Sequence, residues 1–60
     1  MTHQANLNYL MEINQKKISS NNELLKSEKL HQDQRIRLID ENDDLRQSNQ
    51  TIREQLQDLF

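Results

Sequence analysis

The sequence predicts an all-α protein: a single long helix forming a parallel two-stranded coiled coil, with an irregular, stutter-like region near residues 25–38. Three observations carry that reading. The 60 residues include no Gly and no Pro, so the usual means of turning a chain or stopping a helix are missing. Apolar residues recur at alternating spacings of three and four, the heptad period and not the strand period. Four asparagines, Asn14, Asn21, Asn42 and Asn49, keep that same period instead of gathering in loops.

The C-terminal half sets the frame. Leu38, Leu45, Ile52 and Leu59 fall at d, and Asn42, Asn49 and Leu56 at a. Extended toward the N-terminus, a takes Arg35, Glu28, Asn21, Asn14 and Leu7, and d takes His31, Leu24, Lys17, Leu10 and His3. The expected dimer interface is therefore Leu7, Leu10, Asn14, Asn21, Leu24, His31, Leu38, Asn42, Leu45, Asn49, Ile52, Leu56 and Leu59. A buried Asn at a fixes two parallel strands in register at some cost in stability, and four in phase would insist on that register.

Ser19-Ser20-Asn21-Asn22 looks like a loop, and Ser20 with Glu23 fits a capping box opening a new helix. A turn there would have no reason to keep Asn21 in phase. One helix is expected from about Gln4 to the end, residues 1–3 frayed, with a hairpin as the competing reading. Glu12–Lys16 and Asp33–Arg37, spaced i,i+4 with the acid first, support a single helix. Glu41 at g and Arg46 at the following e have the spacing of an interchain ion pair in a parallel dimer. The seam is still apolar at Leu59-Phe60, so residues 1–60 read as one coiled-coil segment of something longer.

The N-terminal half does not follow the frame cleanly. Met11, Ile18, Leu25 and Ile39 all fall at e, one place after d. One account is a stutter between Leu25 and Leu38 that locally unwinds the supercoil. The other is burial against a further helix, which makes Met11, Ile18, Leu25 and Ile39 a face for a helical protein partner. Glu28, His31 and Arg35 occupy successive a, d and a places, so the middle is expected to be the weakest part.

Composition narrows the function classes. A formal charge of −2 argues against a nucleic-acid partner, which selects a basic face. No apolar run approaches the ~20 residues that span a bilayer, so no membrane role is expected. The absence of Cys removes disulfides and thiolate sites and points to an intracellular, cytoplasmic setting. Asp40-Glu41-Asn42-Asp43-Asp44 begins like a calcium loop, but Leu45 stands where the Gly is required and Thr51 where the Glu is. It reads as a solvated acidic face. Asn49-Gln50-Thr51 is a glycosylation sequon whose glycan, at a, would block the interface. His3 and His31 are too far apart to share an ion; His31 at d would face its symmetry mate and reads as a tolerated polar core residue. No nucleophile–base pair stands at helical spacing, so neither an enzyme, a cofactor nor a metal is expected.

The period as a whole resembles the dimeric coiled-coil segments of cytoskeletal, tethering and scaffolding proteins. More locally, Glu41-Asn42-Asp43-Asp44-Leu45 followed by Ser48-Asn49 is similar to the helical segment of small tailed-phage capsid scaffolding proteins, in which a coiled-coil dimer holds an assembly-directing tail. These resemblances imply a homodimer that acts as a structural spacer or scaffold. Recruitment of a partner helix is the alternative, and an antiparallel four-helix assembly is a third reading.

Overall fold

In the computed structural model, which describes residues 2–59, two α-helices pack against each other as an antiparallel hairpin. Helix α1 spans His3–Leu25 and α2 spans Gln32–Asp58. The hairpin measures 45 × 17 × 12 Å. The all-α class expected from the sequence is what forms, with no strand among the described residues. The single continuous helix is not, because the chain reverses over residues 26–31.

The reason lies in the phase of two stripes. The α1 stripe ends at Leu25 and the α2 stripe begins at Leu38, thirteen residues on. In the heptad frame the two stripes share position a and differ in the second position, e in α1 and d in α2, so a continuous helix would have to present both sides of the a row to one partner. Reversing the chain lets each stripe cover the other. The shift of seam between Leu25 and Leu38 is thus taken up by a turn, not by a stutter.

Helix α1 starts from an extended Thr2, whose Oγ1 accepts the N–H of Ala5 at 3.1 Å. That cap satisfies one of the unpaired donors of the first turn. Of residues 1–3, where fraying is expected, Thr2 caps α1 and His3 opens it, and Met1, like Phe60, lies outside the described residues.

No residue of the turn adopts positive φ. The end of α1 tightens instead, with the N–H groups of Lys26 and Ser27 donating to the carbonyls of Glu23 at 3.3 Å and Leu24 at 3.1 Å. Arg35 then closes the end from the other helix. Its Nη1 donates to the carbonyl of Leu25 at 2.8 Å and its Nη2 to that of Ser27 at 2.6 Å. A guanidinium on these carbonyls satisfies orphan acceptors and sets a positive charge at the negative end of the helix dipole. Helix α2 opens at His31, whose N–H donates to Gln34 Oε1 at 3.3 Å and whose carbonyl accepts the Arg35 N–H at 3.0 Å. Glu28, His31 and Arg35, predicted at successive seam positions, are therefore parts of the turn and its clasp. His31 is exposed and faces no buried core.

The seam is narrow. From α1, Leu7, Ile18 and Asn21 are buried and Met11, Asn14 and Leu25 half-buried; from α2, Asn42, Asn49 and Ile52 are buried and Leu38, Leu45 and Leu56 half-buried. Helix α2 thus buries its a and d positions as the heptads predict, while α1 buries its a and e positions. Leu10 and Leu24, predicted at d, are left 48% and 53% exposed, and Leu59 is also turned out.

Candidate functional site

The asparagines of the two stripes meet inside the hairpin. Asn21 Nδ2 donates to Asn42 Oδ1 at 2.9 Å and to Glu41 Oε1 at 3.1 Å, and Asn42 Nδ2 donates to Asn22 Oδ1 at 3.1 Å. Two turns away, Asn14 Nδ2 donates to Asn49 Oδ1 at 3.0 Å and to Ser48 Oγ at 3.3 Å. In both Asn pairs the residue numbers add to 63. The same register puts Leu7 opposite Leu56, Met11 opposite Ile52, Ile18 opposite Leu45 and Leu25 opposite Leu38. An amide that donates and accepts at once is satisfied only when the facing amide is in step, so these pairs select one antiparallel register. Among the described residues, no buried side-chain nitrogen or oxygen lacks a partner.

The structure redistributes the residues singled out in the sequence. The asparagines, predicted to face a symmetry mate, are paired within the chain. Met11, Ile18 and Leu25, predicted as a face for a partner helix, lie in the chain's own seam, and only Ile39 of that stripe stays exposed. Arg46 reaches Asp43 on its own helix at 3.6 Å, while Glu41 accepts from Asn21. The Glu12–Lys16 pair forms at 3.3 Å and Lys26–Glu23 at 3.1 Å; Asp33–Arg37 is not among the ion pairs of the described residues. All three pairs that form are exposed and worth about 0–1 kcal/mol each.

Sequence reasoning missed three partners: Asn22, Ser48 and the Arg35 clasp. Asn22 and Ser48 each follow or precede a seam asparagine by one place, a signal that becomes visible only once the hairpin register is known. Asn42 of the acidic run is turned into the seam, away from Asp40, Asp43 and Asp44, which are exposed. Among the described residues, no three His, Asp or Glu side chains converge to hold a metal ion. Asn49 of the sequon is buried in the seam, its Oδ1 accepting from Asn14, and a glycan on its Nδ2 would have to displace the facing helix.

Outside the seam, the surface carries shallow open grooves. One is lined by Ile13, Lys16, Lys17, Ser20, Asn21 and Glu41. A second, toward the turn, is lined by Leu24, Leu30, Gln34, Arg37 and Leu38. A third lies between Gln15, Asn49 and the arginines Arg46 and Arg53. None encloses a small molecule as a cleft does. No helix of the described residues is long and apolar enough to cross a membrane. No protein-family model, no curated protein and no solved structure matches this chain.

Proposed function

We propose that this chain is a self-associating helical hairpin, an oligomerisation element that serves as a spacer or scaffold within an assembly. One observation carries the reading: the seam covers too little of the aliphatic content. Leu7, Ile18 and Ile52 are the buried apolar side chains of the described residues, while Leu10, Leu24, Ile36 and Ile39 stand about half exposed. A two-helix chain of this size is close to the lower limit for folding alone, and oligomerisation is a common remedy. Association of closed hairpins keeps the homodimer expected from the heptads. It does not require the parallel dimer of long helices, which would have to break the Asn14–Asn49 and Asn21–Asn42 pairs first.

A structural role also fits the absence of an enclosing cleft among the described residues, and the likeness of residues 41–49 to capsid scaffolding segments makes viral assembly one such setting. The second reading is a recruitment module. The apolar groove of Leu24, Leu30 and Leu38 beside the turn favours it, since it would receive a helix from another protein.

Sedimentation equilibrium with circular dichroism over a concentration series tests the proposal. Mass above the monomer and helicity should rise together with concentration. A chain that stays monomeric throughout, and gains helix only when a partner is added, would favour recruitment instead.

A further inference from the structure

The incompletely covered aliphatic residues of α1, with Leu10 and Leu24 exposed and Ile13 half-buried, are not scattered. Leu10, Ile13, Lys17, Ser20 and Leu24 succeed one another at spacings of three and four, which places them on one face beside the seam. Across the seam on the same flank, Gln34, Arg37, Glu41 and Asp44 follow the same spacing on α2. Two of the grooves confirm the pairing of these stripes: Lys17 and Ser20 share one with Glu41, and Leu24 shares the next with Arg37 and Leu38. The opposite flank, in phase with Arg46 and Arg53, is polar along most of its length, with Ile39 at its turn end.

Resting on the self-association proposed above, we infer that a second copy of this chain docks on the Leu10–Ile13–Leu24 flank, giving a twofold dimer of hairpins with four helices. Two arguments select that occupant. The first is area. A folded monomer of 7.3 kDa exposes about 4,200 Å² by the scaling of surface with mass. This hairpin exposes 4903 Å². The excess reflects the open 45 × 17 × 12 Å shape of a single helix pair, and a second pair packed on one flank is the layer that would cover it.

The second argument is charge. A twofold interface must be its own complement, so a patch that mates with itself needs both signs. This flank carries Lys17 and Arg37 with Glu41 and Asp44, and none of the four takes part in an ion pair among the described residues. Docking brings the cations of one copy to the carboxylates of the other around an aliphatic centre. Exposed charges of both signs give specificity to such a contact more than affinity, and Leu10 and Leu24 carry the affinity.

Sedimentation equilibrium on the full chain provides the test. The parent should associate, Leu10→Lys with Leu24→Lys should weaken association roughly tenfold or more, and Ile36→Lys with Ile39→Lys, a change of the same size on the back and other flank of α2, should not. Charge reversal gives a second reading that does not depend on the leucines. Lys17→Glu and Asp44→Lys should each self-associate more weakly than the parent, and an equimolar mixture of the two should recover the parent's association. A parent that associates unchanged in the Leu10/Leu24 variant, or loses association only in the Ile36/Ile39 variant, overturns the docking face and leaves the oligomerisation reading standing. A parent that remains monomeric overturns both.

Discussion

Asn21 and Asn42 hold the two helices in step: the amide nitrogen of one lies 2.9 Å from the amide oxygen of the other, with both side chains buried. The pair is more than a tolerated polar core contact. Asn21 Nδ2 also reaches Glu41 and Asn42 Nδ2 reaches Asn22, and no buried side-chain nitrogen or oxygen among the described residues is left without a partner. A closed polar network costs less than a half-paired one and discriminates between registers.

Breaking that pair from one side should therefore be worse than removing it. Asn21→Leu leaves the buried Asn42 oxygen without its donor and should cost about 1–3 kcal/mol in thermal unfolding. Asn21→Leu with Asn42→Leu should recover most of that loss and broaden the register. The coupling in a double-mutant cycle should be at least ~0.5 kcal/mol. Simple additivity of the two single changes would mean that the amides do not act as a pair.

The topology has a covalent test. Asn14 and Asn49 side chains touch at 3.0 Å, so Asn14→Cys with Asn49→Cys should close an intramolecular disulfide. Non-reducing electrophoresis and mass spectrometry should find an oxidised monomer. Loop closure over this span should stabilise the hairpin by about 3–4 kcal/mol in the chain-entropy account. A parallel dimer of long helices would instead yield cross-linked dimers.

Arg35 is expected to be the most sensitive residue of the turn. Arg35→Met removes two charge-assisted hydrogen bonds to the carbonyls of Leu25 and Ser27 and should cost about 1.5–3 kcal/mol in urea unfolding. Arg35→Lys should recover only part of this, because an ammonium cannot reproduce the fork. Amides of residues 26–31 should exchange faster than those of Ile18 and Asn49 in the parent, and the contrast should grow in the Met variant. Equal protection of turn and seam would remove the clasp from the account.

At the other end, Thr2→Ala deletes the side-chain cap on the Ala5 N–H and should lower stability by ~1 kcal/mol, whereas Thr2→Ser should be close to neutral. A melt of the Ala variant that overlays the parent would show that the first turn of α1 is not coupled to the seam.

The helical class and half of the interior were legible in the chain itself. Periodicity alone placed Leu38, Asn42, Leu45, Asn49, Ile52 and Leu56 on one face of a helix, because 3.6 residues per turn leaves no other way to align them. It also put Asn14 and Asn21 in phase with Leu7. The stripe Met11, Ile18 and Leu25 was visible as an excess beside the frame, without a partner to explain it.

What the sequence determined by itself, then, was two amphipathic stripes and the asparagines within them. Which surface each stripe covers was decided only by the tertiary structure. A heptad pattern specifies that a face needs covering and is silent on whether the cover comes from another chain or from the same one. Here the two stripes share the a row and face each other across a reversed chain, although no Gly or Pro announces a turn. The turn itself could not be read locally, because its stability comes from Arg35, eight and ten residues along the chain from the carbonyls it holds. Pairing in the seam brings that guanidinium back to the end of α1, where it holds the carbonyls of Leu25 and Ser27 beside the local bonds of Lys26 and Ser27.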